Sequence, residues 1–159
     1  MRFPALVLSL FAALTAASVG ATADPPAAAA PRWPALQQYA GKVVLLDFWA
    51  SWCSPCLKSF PWMNELQKKH GADGLVVLAV NVDQDRKLAD AFLGKTSAQF
   101  KIEFDPNGTV ARQFDVQAMP TSFLIDRQGK VRVRHAGFKE KNREQREQQI
   151  AQLLKEPAA

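Results

Sequence analysis

The chain has 159 residues, a formal net charge of +5 and a hydrophobic content of 48%. This length fits one domain and buries roughly two thirds of the surface that the unfolded chain exposes, so the fold does not depend on disulfide staples. The positive charge is mild, and along residues 139–147 it alternates with glutamates, which argues against the continuous basic stripe of a nucleic-acid-binding protein.

The start of the chain predicts an export signal over residues 1–23. Arg2 supplies the positive charge, residues 5–17 form an apolar run, and residues 21–23 (ATA) match a small-residue cleavage site. We therefore expect a mature chain that begins at Asp24 and is located in the periplasm, where disulfides persist. The alternative is an uncleaved N-terminal membrane anchor, because an apolar stretch of about 20 residues is long enough to cross a bilayer.

The rest of the chain divides into a linker and a folded domain. Residues 24–34 are rich in proline and alanine, which predicts an extended, unpacked linker before a domain over residues 35–159. The elements predicted from apolar periodicity and turn residues are, in chain order, a helical turn at 35–40, a strand at 43–49, a helix at 55–70 with Pro55 in its first position, a strand at 75–82, a helix at 87–93, a strand at 102–104, a helical stretch at 110–114, a hairpin of 121–125 with 131–135, and a helix at 143–154. The early strand, helix and strand form a βαβ unit, which predicts an α/β fold.

The sequence contains two cysteines, Cys53 and Cys56, three positions apart. At this spacing on a helix they lie on one face within disulfide reach. A disulfide that closes so short a loop removes little chain entropy, on the order of 2 kcal/mol, so a purely structural staple explains the pair poorly. Cys53 precedes the first helical turn, where unpaired N–H groups and the helix dipole stabilise a thiolate. We therefore predict that Cys53 is the nucleophile and that Cys56 resolves the mixed disulfide.

A metal site is the alternative use of two such thiols. A structural zinc would need two further ligands, and the sequence offers only His70, at a predicted helix end, and His135, in a predicted strand. We expect each histidine to be an ordinary surface residue. The sequence therefore predicts no metal site and no cofactor, although a copper-binding or metallochaperone module that uses Cys53 and Cys56 stays open.

Two distant segments resemble the thioredoxin signatures. Residues 43–56 (VVLLDFWASWCSPC) resemble the active-site segment, and residues 118–126 (AMPTSFLID) resemble the second signature. Between them, residues 80–83 (VNVD) and 104–108 (FDPNG) resemble the TlpA/ResA-like branch of exported thioredoxins. The resemblance spans about residues 35 to 155 and implies a thioredoxin fold, with a central mixed β-sheet flanked by helices and a TlpA-like insertion before the cis-proline loop.

The resemblance also implies roles for residues outside the cysteine pair. Pro120 matches the cis-proline whose loop faces the two cysteines and pairs its backbone with the substrate, and Met119 then lines the substrate groove. Trp52 is expected to be an exposed apolar contact for the substrate, or else a packing residue. Asp47 interrupts an apolar strand, where burial is expected to raise its pKa. By resemblance it accepts the proton of Cys56; the alternative is a paired structural carboxylate.

Three positions depart from related patterns. Ala79 stands where thioredoxin carries the lysine that accompanies the buried aspartate, and Ser59 stands where ResA-like proteins carry an acid. Ala50 stands where peroxiredoxins, which share the fold, place a threonine three residues before the reactive cysteine. Because this threonine is absent, we do not predict a peroxidase function.

The resemblance implies an enzyme, a protein-disulfide reductase outside the cytoplasm. Its expected substrates are disulfide-containing periplasmic proteins, in cytochrome c maturation or in copper-site assembly, and its expected electron source is a membrane-spanning thiol donor. We expect a monomer with no nucleic-acid partner. The copper-binding module described above is the alternative function.

Overall fold

Six strands and five helices follow one another along residues 28–157, the part of the chain that the computed structural model describes. In chain order they are β1 (Ala28–Ala29), α1 (Pro34–Gln37), β2 (Val43–Trp49), α2 (Ser54–His70), β3 (Leu75–Asn81), α3 (Arg86–Thr96), β4 (Lys101–Phe104), α4 (Thr109–Gln113), β5 (Thr121–Ile125), β6 (Lys130–Ala136), a 3-10 turn (Glu140–Asn142) and α5 (Arg143–Lys155). Every residue of β2 is buried. A strand covered on both faces needs apolar side chains at nearly every position, which explains the continuous apolar run.

The strands form one mixed sheet in the order β1-β6-β5-β2-β3-β4. β3 runs parallel to both β2 and β4, whereas β5 is antiparallel to β2 and to β6, and β1 is antiparallel to β6. The parallel pair β2 and β3 is joined by α2, as a parallel connection requires. The predicted βαβ unit and hairpin are therefore confirmed.

The two faces of the sheet are covered by different helices. Leu45 and Trp49 of β2 belong to the core cluster that includes residues of α2, α3 and α5, whereas Leu46 and Phe48 belong to the cluster that includes residues of α1 and α4. Successive residues of a strand point to opposite faces. Asp47 lies two positions from Leu45 and from Trp49, so its side chain is on their face, which α2 and α5 cover.

The segment between β3 and α4 forms the insertion that the resemblance implies. It consists of α3 and β4, and β4 extends the sheet beyond β3. The turn that follows is held by Asp105, whose carboxylate accepts hydrogen bonds from the backbone N–H groups of Thr109 and Ala111, both at 2.8 Å. This cap fastens the insertion to α4, which leads toward the loop that carries Met119 and Pro120.

Part of the predicted linker is paired or packed rather than free. Ala28 and Ala29 pair with Val131 and Lys130 at the edge of the sheet, and Trp33 packs against the core cluster that includes Leu36 of α1. The unpaired backbone N–H and C=O groups of an edge strand can form hydrogen bonds with any extended segment that lies beside it. Alanines can therefore join the sheet although their segment shows no apolar periodicity. The predicted signal and residues 24–27 lie outside the described residues. Within residues 28–157 no helix is both long and apolar enough to cross a membrane.

Several helix boundaries also differ from those predicted, as α2 and α3 show. α2 begins at Ser54, so Pro55 occupies the second helical position rather than the first. α3 begins one residue earlier and ends three residues later than predicted. Its N-cap is Asp85, whose Oδ1 accepts a hydrogen bond from Lys87 N–H at 2.9 Å, and such a cap extends a helix beyond its apolar stripe.

Candidate active site

The cysteine pair and the proline loop lie side by side where the central strands β2 and β5 end and begin. Phe48 of β2 is paired with Thr121 of β5, and these strands are antiparallel. The segment that leaves β2 toward Cys53 and the segment that enters β5 through Pro120 therefore emerge side by side. The Met119–Pro120 peptide bond is cis, as the resemblance implies. Met119 packs against the core cluster that contains both cysteines.

Cys53 and Cys56 form a disulfide at the N-terminus of α2. Cys53 is the N-cap residue, and its sulfur accepts a hydrogen bond from Cys56 N–H at 3.3 Å. Cys53 is 3% exposed and Cys56 is fully buried. The helix end therefore offers an N–H donor and a positive dipole to the Cys53 sulfur, which favours a thiolate there after reduction.

The surface beside Cys53 is apolar and carries free backbone groups. Trp52 is 70% exposed and Leu57 is 44% exposed, which is unusual for large apolar side chains. Pro120 is buried, and its C=O accepts a hydrogen bond from Gly137 N–H at 2.7 Å. Among the described residues, the backbone N–H and C=O of Met119 have no hydrogen-bond partner. The proline loop is thus anchored on one side and open to an extended chain on the other.

Asp47 is a buried carboxyl group with no compensating contact on its own sheet. It is 4% exposed and lies between Ala79 of β3 and Ser122 of β5. Its Oδ2 is buried without a hydrogen-bond partner among the described residues. Burial raises its pKa to about 8, although the positive charge of Arg146 acts in the opposite direction. The group is therefore a neutral acid in most molecules at pH 7 and lies on the face that α2 and Cys56 cover.

Ser59 and His70 have polar partners of their own. The Ser59 hydroxyl is buried and donates to the C=O of Cys56 at 3.0 Å, so this position supplies no acid to the site. His70 lies near two carboxylates, those of Asp73 and Glu147, at the far end of α2. No group of three or more histidine, cysteine, aspartate or glutamate side chains arranged to hold a metal occurs within residues 28–157.

A comparison with protein families matches residues 19–154 to the Redoxin family. The chain belongs to the Redoxin family. It is 35% identical over 120 residues to the thiol-disulfide oxidoreductase ResA of Bacillus thuringiensis subsp. konkukian, covering 76% of this chain and 66% of that protein. It is 39% identical over 97 residues to ResA of Geobacillus thermodenitrificans, covering 61% of this chain and 56% of that one. The match thus spans less than two thirds of these relatives' length.

Solved structures have a fold similar to that of this chain. A crystal structure of a protein assigned as the thiol:disulfide interchange protein DsbE from Chlorobium tepidum has a TM-score of 0.78 and 46% identity, covering 80% of this chain and 96% of that one. The thioredoxin domain of a thiol-disulfide oxidoreductase from Bacteroides vulgatus, at 19% identity, has a TM-score of 0.64 and covers 72% of this chain and 84% of that one. The predicted thioredoxin fold is therefore confirmed.

Asp83 of this Redoxin chain binds the loop that leads to Cys53 and was not among the site residues predicted from the sequence. Its carboxylate accepts hydrogen bonds from Ser51 N–H at 2.8 Å, from the Ser51 hydroxyl at 3.0 Å and from the Asn81 side-chain amide at 2.8 Å. Asp83 is 6% exposed, and its own N–H donates to Asn81 Oδ1 at 3.0 Å. This network ties the loop that leads to Cys53 to the end of β3. The VNVD segment was the signal, but sequence alone does not show what its aspartate binds.

Replacing Asp83 with alanine is expected to lower the free energy of unfolding by about 3 kcal/mol, because three donors lose their acceptor and two of them belong to the Cys53 loop. Denaturant unfolding of the oxidised protein measures this change. Asp90 on α3 is the matched control: its surface pair with Arg86 should contribute less than about 1 kcal/mol. Equal losses in the Asp83→Ala and Asp90→Ala variants would show that the network does not hold the loop.

Proposed function

We propose that this protein is a thiol-disulfide oxidoreductase that reduces disulfides of exported partner proteins through Cys53 and Cys56. The observation that carries the proposal is the disulfide between these residues at the N-terminus of α2, beside the cis-proline loop. The names of the ResA and DsbE relatives support the same class of reaction. A pair this close in sequence contributes little as a staple, so a redox role explains it better.

The reaction follows from the different surroundings of the two sulfurs. The Cys53 thiolate attacks one sulfur of a partner disulfide, forms a mixed disulfide and releases the other partner sulfur as a thiolate. Where Asp47 is ionised, Cys56 then transfers its proton to this carboxylate and attacks the Cys53 sulfur. The Cys53–Cys56 disulfide forms, and the remaining partner sulfur leaves as a thiolate that takes a proton from water. The partner has gained two electrons, and a thiol donor must return two to this protein.

Asp47 is suited to exchange a proton with Cys56. Its pKa of about 8 is close to the ordinary thiol value of about 8.5, so proton transfer between the two groups costs little free energy in either direction. When the donor reduces the disulfide, Cys56 leaves as a thiolate, and the protonated form of Asp47 can supply its proton. One carboxyl group thus serves both half-reactions.

The surface beside Cys53 favours an extended polypeptide as substrate. The open N–H and C=O of Met119 can pair with a partner backbone as an added strand does. The exposed side chains of Trp52 and Leu57 offer apolar contact next to Cys53. Backbone pairing and apolar contact require no particular partner sequence, which suits a protein that reduces disulfides in several proteins.

The compartment and the partners are also part of the proposal. The predicted signal over residues 1–23 supports a periplasmic location, and a reductant in an oxidising compartment needs electrons from a membrane-spanning thiol donor. The TlpA/ResA-like resemblance supports exported substrates from cytochrome c maturation or copper-site assembly.

A trapping experiment tests the proposed function. In the Cys56→Ser variant the mixed disulfide on Cys53 cannot be resolved, so acid-quenched cells should yield partner proteins bound to this chain and released by a reducing agent. The Cys53→Ser variant is the matched control, because it keeps one thiol but removes the nucleophile. Equal recovery of the same partners with both variants, or recovery of none with Cys56→Ser, would contradict the proposal.

A further inference from the structure

Arg146 on α5 is a buried cation that the proposed reaction does not use. It is 6% exposed, its Nη2 donates to the C=O of Gly137 at 2.7 Å, and its guanidinium carbon lies 5.8 Å from the ring centroid of Phe138. Its Nε is buried without a hydrogen-bond partner among the described residues. Because a buried guanidinium is costly unless a negative charge is near, the position of Arg146 indicates a charged neighbour.

A row of polar residues crosses the sheet beneath α5. Asp47 of β2 is paired with Ser122 of β5, and Ser122 is paired with His135 of β6. Directly paired residues project from the same face of a sheet. His135 Nε2 lies 2.9 Å from Oε1 of Gln149, which places the row under α5. On its other side Asp47 is paired with Ala79. Neither strand beside Asp47 therefore supplies a charge.

Besides Asp47, the described residues place at least three titratable or charged groups on this face, each from a different element. α2 contributes Cys56, β6 contributes His135 and α5 contributes Arg146. The pKa of His135 is lowered by burial and then by Arg146, so His135 is neutral at pH 7. Arg146 also lowers the pKa of Asp47, against the larger effect of burial. Arg146 is therefore the cation that acts on the Asp47 carboxyl group among the described residues.

Resting on the proposed function, we propose that Arg146 is a positioning residue for the proton transfer: from α5 it supplies the positive charge that lets Asp47 ionise and accept the proton of Cys56. A carboxylate in an apolar site is unfavourable without such a charge. Arg146 acts through Asp47, and within residues 28–157 it makes no hydrogen bond to either cysteine sulfur.

A purely structural role for Arg146 predicts a different defect. Arg146 donates a hydrogen bond to the C=O of Gly137, and the N–H of Gly137 donates one to the C=O of Pro120. If Arg146 served only this chain of hydrogen bonds, its loss would disturb the proline loop and slow substrate attack at every pH. If the positive charge of Arg146 favours ionisation of Asp47, loss of Arg146 instead changes the pH dependence of the second step, in which Cys56 resolves the mixed disulfide.

The test separates the two thiol steps with dithiobis(nitrobenzoate) as the disulfide probe. The reduced protein releases a first equivalent of thionitrobenzoate when Cys53 attacks and a second when Cys56 resolves the mixed disulfide. The rate of the second release is measured from pH 5 to pH 10 in wild type and in the Arg146→Gln, Arg146→Met and Arg146→Lys variants. Glutamine keeps a donor for the C=O of Gly137, and methionine keeps the packing on Phe138. If only one of these two neutral variants folds, that variant alone is enough for the test.

The expected result is a shift of the midpoint of the second step to higher pH, by about one unit, in both neutral variants, with second release at pH 7 slowed by about tenfold. The Arg146→Lys variant, which keeps the charge, should remain near wild type. Arg143→Gln removes a positive charge from the partly exposed start of α5, where Arg143 pairs with Glu65, and should not shift the midpoint. The first release should change less than about twofold in every variant.

The Asp47→Asn variant distinguishes the two proposals. If it leaves the second release unchanged, Asp47 is not the base, and that part of the proposed function fails whatever Arg146 does. If it slows the second release while the neutral Arg146 variants keep the wild-type midpoint, only the inference on Arg146 is overturned. A uniform slowing of the first release would assign Arg146 to the proline loop instead.

Discussion

Replacing Asp47 with asparagine is expected to raise the free energy of unfolding at pH 7 by roughly 4 kcal/mol, because the pKa of the buried carboxyl is about 8 against an ordinary value of 3.8. Between these two pKa values the folded protein holds a proton that the unfolded chain has released. The stability of the wild type therefore falls as the pH rises from about 4 to about 8. Asparagine resembles the neutral acid and releases no proton, so the free energy of unfolding of the Asp47→Asn variant does not fall over this pH range.

Chemical denaturation at a series of pH values measures this effect. The two proteins should have similar stability near pH 3, where the carboxyl is protonated in both states, and should diverge steadily up to about pH 8. Asp90→Asn, an exposed change on α3, is the control and should alter stability by less than about 0.5 kcal/mol. A stability difference that does not depend on pH would show that the Asp47 carboxyl is not held neutral in the fold.

The same substitution is expected to cost activity. Without a base near Cys56, release of the reduced partner should slow by at least about 100-fold, whereas the first attack by Cys53 should be little changed. A residue that destabilises the fold while it accelerates one chemical step shows the trade that active sites commonly make between stability and function. A variant that is more stable and equally active would assign Asp47 no part in the reaction.

The reduction potential of the Cys53–Cys56 pair is expected to lie nearer the roughly −270 mV of thioredoxin than the roughly −120 mV of the strong oxidant DsbA. Strong oxidants stabilise the thiolate heavily. Here the two residues between the cysteines, Ser54 and Pro55, carry no charge, and Pro55 removes one N–H donor from the first turn. Among the described residues the Cys53 sulfur accepts one hydrogen bond, from Cys56 N–H at 3.3 Å. Moderate stabilisation of the thiolate gives a less oxidising disulfide.

Equilibration of the protein against glutathione measures this potential. The gap between the two reference values corresponds to about 7 kcal/mol, since 30 mV equals about 1.4 kcal/mol for two electrons. A Pro55→His variant is the matched comparison, because it adds a cation and an N–H donor beside Cys53 and should raise the potential by tens of millivolts. A wild-type value above about −150 mV would make this protein an oxidant and would overturn the proposed direction of electron flow.

Local patterns in the sequence determined the elements and the reactive groups. The continuous apolar run of β2, the spacing of Cys53 and Cys56, and the single charge at Asp47 are visible because burial and helical periodicity act on neighbouring residues of one segment. The second signature around Pro120 added the proline loop by resemblance. These features sufficed to predict the fold, the pair of cysteines and a buried carboxyl group.

Only the tertiary structure decided which distant residues support that site. The pairing of Phe48 with Thr121 places the proline loop beside Cys53, the Asp83 carboxylate binds the Ser51 loop, and α5 brings Arg146 to the face of Asp47. Such contacts depend on strand register and on how a helix packs across the sheet, and neither leaves a periodic signal in the residues concerned. Arg146 occupies a stretch of mixed charges that is typical of a solvated helix face, so its burial could not be predicted from its neighbours in sequence.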